Sequence, residues 1–184
     1  MDPGSLDREG VLSGAAQIPS PNFDERPADA ALTLLVVHNI SLPPGEFGGE
    51  AIARLFTNTL DFAAHPYYET LHDLKVSAHL LIHRDGELVQ FVPCAKRAWH
   101  AGPSIWRGRT RCNDFSLGVE LVGADDQPYA ERQYLCLSEL TLALRRRYPL
   151  IDVVGHSDIA SGRKSDPGPA FEWGHDRELL ARVR

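Results

Sequence analysis

The chain has 184 residues, of which 43% are hydrophobic and 24% are charged, and its formal net charge is −6. A chain of this length and ordinary composition is predicted to form one domain around one core. Its negative charge favours neither nucleic acid nor an anionic membrane surface, so we expect no nucleic-acid partner and no membrane partner. No apolar stretch of the sequence approaches the length needed to span a bilayer.

The cysteines and the start of the chain bear on its location. The chain holds Cys94, Cys112 and Cys136. An odd number of widely spaced cysteines is atypical of a disulfide framework and favours a reducing compartment. Residues 1–14 lack the basic and apolar segments of a secretory signal, which predicts a cytoplasmic protein, although the opening Met-Asp-Pro-Gly-Ser also resembles a vector-derived sequence. Residues 1–17 are predicted to form an N-terminal arm and residues 18–184 the domain.

Hydrophobic patterning predicts strands and helices after a proline-containing extended segment that ends near residue 30. In chain order, the predicted elements are a strand at 32–37, a helix at 49–58, a long loop at 59–75, strands at 79–83, 87–92 and 115–122, a helix at 131–148, a strand at 151–154 and a helix at 175–183. The Asp85-Gly86 pair between two of the strands is typical of a β-hairpin, because glycine accepts a positive φ.

Two of the eight histidines lie where predicted apolar strands end. His38 follows the strand at 32–37, and His156 follows the strand at 151–154. Asp166 lies beside a Pro-Gly turn that can return its carboxylate to the same edge. Two imidazoles and one carboxylate suit a zinc ion and leave a fourth ligand position open for water, as in catalytic sites. The alternative is that each histidine caps a strand or fills a gap in the core, and spacing alone does not decide.

Two further charged residues are candidates for catalysis. Glu120 is the only charge within the apolar segment 117–122, where burial would raise its pKa and suit it to accept a proton from water activated by the metal. The alternative is an outward-facing side chain in water. Lys164 is a candidate for stabilising a developing oxyanion, although most lysines are simply solvated.

A series of short motifs runs in order along the chain. They are SPNFDERP at 20–27, LVVHNISLPP at 35–44, HPY at 65–67, VSAH at 76–79, AWHAG at 98–102, CNDFSLGVE at 112–120 and GHSDIA at 155–160. By these motifs the chain, from about Ile18 to Trp173, resembles the type 2 amidase and peptidoglycan recognition protein family. The resemblance implies a single α/β domain with a central mixed sheet flanked by helices, and a groove that holds one zinc ion (Zn²⁺).

The resemblance also implies roles for individual residues. By motif, the zinc ligands are matched by His38, His156 and Asp166. The family's catalytic acid/base is matched by Glu120, and its transition-state stabiliser by Lys164. The segments that line its substrate groove contain Asn39, Trp99, His100 and Arg111, and a flat indole suits the face of a sugar ring. His79 is implied to support the site from a strand.

The activity implied by the resemblance is zinc-dependent hydrolysis of an amide in muropeptides. The bond joins the lactyl group of (1,6-anhydro-)N-acetylmuramic acid to L-alanine, and the resemblance is to members that act in peptidoglycan recycling. One alternative is a general amidase that acts on polymeric peptidoglycan. Another is a non-catalytic muropeptide-binding module, but such modules usually lack a zinc ligand and all three candidate positions are kept here.

Overall fold

The structure is a computed structural model, and it describes residues 3–175. The strands are β1 (Ala16–Gln17), β2 (Phe23–Asp24), β3 (Leu34–Ile40), β4 (Leu80–Ile82), β5 (Leu88–Gln90), β6 (Arg97–Ala98), β7 (Ile105–Trp106), β8 (Arg109–Thr110), β9 (Ser116–Val122) and β10 (Asp152–Gly155). The helices are α1 (Ala51–Phe56), α2 (Pro66–Glu69), α3 (Glu131–Arg147) and α4 (His156–Ile159), with 3-10 helices at Phe62–Ala64 and Cys112–Asp114. The helix predicted at 175–183 lies, beyond its first residue, outside the described part of the chain.

A six-stranded mixed sheet forms the centre of the fold, in the order β1-β5-β4-β9-β3-β10. The β4–β5 pair is antiparallel, which confirms the predicted hairpin, and Gly86 in its turn has a φ of 88°. The other neighbouring strands in this sheet are parallel. The mixed α/β fold expected from the sequence is therefore confirmed.

β3 is longer at its carboxyl end than the predicted strand at 32–37. Its ladder with the parallel strand β9 continues past that point and pairs His38 with Glu120 and Ile40 with Val122. His38 therefore lies inside the strand, and the prediction that it follows the strand was wrong. Because β3 is flanked by β9 on one side and β10 on the other, its backbone hydrogen bonds are satisfied within the sheet.

Alternation along the strands separates the two faces of the sheet. On one face the strand residues Leu35, Val37, Leu80, Ile82, Leu117, Val119 and Leu121 pack with Leu137, Leu140 and Leu144 of α3. On the other face Leu34, Val36 and Val154 pack with Ile159 of α4, and Leu81 packs with α1. His38, Gly118 and Glu120 alternate with the α3-facing residues, so they lie on the face opposite α3.

The N-terminal residues pack against the edge of the sheet. Leu12 is 1% exposed and belongs to the cluster on the α3 side, and its amide donates a hydrogen bond to Gln90 Oε1. β1 pairs with β5. The described part of the predicted arm is thus folded onto the sheet, while the domain boundary between residues 17 and 18 stays a prediction.

The long loop predicted at 59–75 contains one 3-10 helix and the short helix α2 and is otherwise irregular. Part of this loop, at Tyr67, Leu71 and Leu74, faces the cleft described below. Among residues 3–175, no helix combines the length and the apolar character that crossing a membrane requires.

Candidate active site

Three side chains meet at the carboxyl ends of β3 and β10. These strands are parallel neighbours, with Val37 opposite Gly155, so His38 in β3 and His156 at the start of α4 lie side by side. Their Nδ1 atoms are 3.0 Å apart, and Oδ2 of Asp166 lies 3.1 Å from Nδ1 of His38 and 3.0 Å from Nδ1 of His156. The structure thus brings together the residues predicted as metal ligands.

The triangle formed by these two nitrogens and one oxygen can hold a metal ion. An ion with ligand bonds of ~2.0–2.2 Å fits above a triangle of this size and keeps a fourth position open. The Nε2 atom of each histidine already has a partner within the protein. His38 Nε2 lies 2.9 Å from His100 Nδ1, and His156 Nε2 lies 3.1 Å from Ala101 O. Each Nδ1 is therefore the nitrogen left for the ion.

The charge states of these groups also suit a metal site. Burial lowers the pKa of His38 to about 4, which keeps the imidazole neutral at pH 7. Burial by itself would raise the pKa of Asp166, but the two imidazoles of His156 and His38 beside the carboxylate outweigh burial and hold that pKa below its usual range. A neutral imidazole and an ionised carboxylate are the forms that bind metal ions.

Glu120 lies next to the candidate metal ligands His38, His156 and Asp166, called the metal triad below, on the same face of the sheet as His38. It is the register partner of His38, and its buried Oε2 atom has no hydrogen-bond partner among the described residues. Burial, and then the charge of Asp166, raise the pKa of Glu120 well above 4.5, while Lys164 opposes the shift. The buried Oε2 atom argues against the outward-facing, solvated side chain that the sequence left open, although the residue as a whole is only partly buried. A carboxyl group of this kind is suited to exchanging protons near neutral pH.

The metal triad opens into a cleft of about 600 Å³. The predicted site residues that line this cleft are His38, Asn39, Trp99, His100, Glu120, His156, Lys164 and Asp166. Further parts of the cleft wall are formed by apolar residues, namely Leu42 in the segment after β3 and Tyr67 and Leu74 in the loop at 59–75. Such a mixed lining suits a ligand that has both polar groups and apolar surface.

Arg111 differs from the other predicted site residues because it is not part of the cleft lining. Its backbone has a left-handed φ of 61° at the start of the 3-10 helix Cys112–Asp114. Its guanidinium, whose side chain is 72% exposed, pairs with Asp114 at 3.1 Å. The cleft of the described structure therefore gives no support to the predicted substrate contact of Arg111.

Two other predicted substrate contacts are engaged within the protein. Asn39 Nδ2 donates to Asp125 Oδ1 at 2.8 Å and to Pro167 O at 3.1 Å, next to Asp166. His100 uses both ring nitrogens, one with His38 and the other with Ser116 Oγ at 3.1 Å. These side chains are placed to hold the metal site as well as to line the cleft.

Sequence reasoning missed two polar residues that hold the loop beside the metal triad. Arg163 Nη2 donates to Ala101 O at 2.7 Å and to Pro103 O at 2.8 Å. Asn113 Oδ1 accepts hydrogen bonds from the amides of His100 and Ala101 at 3.3 and 2.8 Å. Both residues lie beside or within segments singled out for other reasons, but bonds to distant backbone atoms leave no pattern in a sequence.

A metal triad beside a buried carboxyl group, in a cleft on a mixed sheet, is the arrangement of a metal-dependent hydrolase. The chain belongs to the N-acetylmuramoyl-L-alanine amidase family, whose sequence profile matches residues 28–169. The matched range includes the three candidate metal ligands together with Glu120 and Lys164.

The chain is similar to several named proteins over almost its whole length. It is 56% identical over 176 residues to 1,6-anhydro-N-acetylmuramyl-L-alanine amidase AmpD of Escherichia coli strain K12, covering 95% of this chain and 96% of that protein. AmpD of Haemophilus influenzae is 46% identical over 168 residues, covering 90% and 91% respectively.

Solved structures agree with this relationship. The crystal structure of a selenomethionine AmpD derivative matches with a TM-score of 0.93 at 56% identity, covering 96% of this chain and 99% of that chain. AmiD from E. coli, in complex with the substrate anhydro-N-acetylmuramic acid-L-Ala-D-gamma-Glu-L-Lys, matches with a TM-score of 0.59 at 31% identity, covering 86% and 65%.

Proposed function

We propose that the protein hydrolyses the amide bond between the lactyl group of 1,6-anhydro-N-acetylmuramic acid and L-alanine in muropeptides, as a step in peptidoglycan recycling. The observation that carries the proposal is that the metal triad and the buried carboxyl group of Glu120 face one cleft. The AmpD relatives, which are named as amidases for this bond, support the substrate. The cysteines in the described residues are free and buried, which supports a cytoplasmic location.

We assign zinc to the site, with His38, His156 and Asp166 as its ligands. Two imidazole nitrogens and one carboxylate oxygen form a ligand set that zinc takes in hydrolases, and three protein ligands leave one position for water or substrate. A zinc ion there supplies a Lewis acid that polarises the scissile carbonyl group and acidifies a water molecule.

Glu120 is the proposed general base and then general acid. Its carboxylate takes one proton from the attacking water, and the resulting carboxyl group returns this proton to the nitrogen of L-alanine as the amide bond breaks. A raised pKa suits both steps, since the group has to hold the proton between them. The products are a free peptide and a peptide-free anhydro sugar acid.

Lys164 is the proposed stabiliser of the developing oxyanion. It lines the cleft two residues before Asp166, and its positive charge is close enough to lower the pKa values of both His38 and Glu120. An ammonium group that lines the cleft beside the metal triad would stabilise the substrate more as negative charge develops on its carbonyl oxygen than in the ground state.

Trp99 and Asn39 are the proposed positioning groups of the cleft. The indole of Trp99 lines the wall and offers a flat apolar surface for the anhydro sugar ring. Asn39 donates to the carbonyl of Pro167, so it acts by holding the backbone that follows the ligand Asp166. We make no such assignment for Arg111, because it lies outside the cleft lining.

The test is to incubate the purified protein with an anhydro-muropeptide, with and without a chelator, and to separate the products by chromatography. We expect free peptide and peptide-free anhydro sugar, loss of both products after chelation, and recovery when zinc is added back. Binding of the muropeptide without cleavage in the zinc-loaded protein would overturn the amidase assignment. Equal or faster release of peptide from intact wall would favour a general wall amidase instead.

A further inference from the structure

The segment His100–Ala101 contacts the Nε2 atoms of both imidazoles of the metal triad. His38 Nε2 lies 2.9 Å from His100 Nδ1, and His156 Nε2 lies 3.1 Å from Ala101 O. Each of these contacts is on the far side of the imidazole from the Nδ1 atom that faces Asp166. The segment is therefore placed to set the orientation of the two rings.

The tautomer of His38 follows from the assignment of its Nδ1 atom as the metal ligand, because a nitrogen that binds a metal ion carries no hydrogen. A neutral imidazole carries one N–H group, so an Nε2–H group that donates to His100 leaves the lone pair of Nδ1 free for a metal ion. His100 can accept at Nδ1 only if its own hydrogen is on Nε2, which lies 3.1 Å from Ser116 Oγ. Ser116 and His100 thus form a hydrogen-bonded chain that ends at the metal ligand.

His100 is fixed in this position by its surroundings. Asn113 Oδ1 holds the backbone amides of His100 and Ala101. The ring packs directly on Gly118 of β9, where a Cβ atom would contact the ring and lie 2.6 Å from its Nδ1. Glycine inside a strand often marks such a close approach, and here it makes the space that the His100 ring occupies.

His100 is not placed to act as a further ligand of the same ion or as an open substrate contact. Its Nδ1 atom meets His38 on the Nε2 side, across the ring from the triad. The residue is 9% exposed, and both ring nitrogens have partners within the protein. A hydrogen bond to substrate would have to replace one of these contacts.

We propose that His100 is a positioning residue of the metal site: it accepts a hydrogen bond from His38 and so holds that ligand's ring and tautomer. This inference rests on the proposed function in one respect, that the triad binds zinc. Outer contacts of this kind typically contribute 10–100-fold to metal affinity. We propose this positioning role for His100 in place of its predicted role as a substrate contact.

The experiment compares His100→Asn with His100→Leu in the full chain. Asparagine and leucine have the same branching and nearly the same size, but asparagine keeps an acceptor oxygen where leucine has a methyl group. The dissociation constant for zinc is measured by competition with a chromogenic chelator. We expect zinc binding to weaken ~10–100-fold in His100→Leu and to stay within a few-fold of the wild type in His100→Asn.

Urea unfolding of the metal-free proteins shows whether both variants fold. Ser116→Ala is the second variant, because it leaves the His100 ring in place and removes the partner that fixes its tautomer. We expect this variant to weaken zinc binding by a smaller factor than His100→Leu does.

Several results would overturn the inference. Equal zinc affinity in His100→Leu and the wild type would do so, as would equal losses in the leucine and asparagine variants. A higher KM with unchanged zinc affinity would return His100 to a substrate contact. Unchanged zinc affinity in Ser116→Ala would show that the hydrogen bond between Ser116 and His100 does not help to hold His38. A wild-type protein that binds no zinc would instead refute the proposed function, so the two failures are distinguishable.

Discussion

Replacing Glu120 by glutamine should lower activity and raise stability in the same molecule. The amide keeps the shape of the side chain but cannot accept a proton from water, so kcat should fall by ~10²-fold or more. Zinc should be retained, because Glu120 is not among the three side chains of the triad. The gain in stability is expected because burial disfavours the ionised carboxylate of Glu120, whereas the glutamine amide stays neutral.

The magnitude of the stability change depends on pH in a defined way. Burial raises the pKa of Glu120 above 4.5, so the unfolded chain loses this proton first as pH rises. That ionisation favours the unfolded state, and the folded protein loses at most about 1.4 kcal/mol of stability per pH unit above 4.5, until pH reaches the folded-state pKa. Glutamine does not titrate, so the metal-free variant should escape this loss.

Urea unfolding of the metal-free wild type and Glu120→Gln at several pH values between 4.5 and 7 measures the difference. The variant's advantage should grow as pH rises through this range. Glu87→Gln, which changes an exposed glutamate, is the control and should follow the wild type at each pH. A constant difference across the range would refute the burial argument, and near-wild-type kcat with zinc in place would refute the general-base role.

Three further predictions concern the metal, the oxyanion and the substrate. His38→Ala or Asp166→Ala should lose most of the bound zinc by elemental analysis, and wild-type stoichiometry in either variant would contradict this ligand set. Lys164→Ala should lower kcat more than it raises KM in steady-state assays, because its charge acts mainly in the transition state; a rise in KM alone would make it a binding residue. Paired substrates compared by chromatography should give a kcat/KM at least ~10²-fold higher for anhydro-muropeptides than for the reducing-sugar equivalents, about 3 kcal/mol of discrimination, and equal rates would contradict it.

The sequence by itself determined those features that depend on near neighbours in the chain. The Asp85-Gly86 turn between apolar runs predicted the β4–β5 hairpin, and the helical period of apolar residues predicted α3 almost to its ends. Residue chemistry and motif order also selected the three residues that meet in the metal triad. These features could be predicted because their signals are a local period, a turn residue or a set of ligand types.

Only the tertiary structure decided how distant residues combine at the site. The end of β3 was set by its ladder with β9, which extended the strand past His38. The partner of His38 at Nε2 lies 62 residues away, and Arg111, which is not among the residues that line the cleft, keeps its substrate contact only as a prediction. Such contacts are fixed by strand order and by which face of the sheet a residue occupies. A local sequence pattern predicts neither the strand order nor the face of the sheet, because both depend on segments that are far apart in the chain.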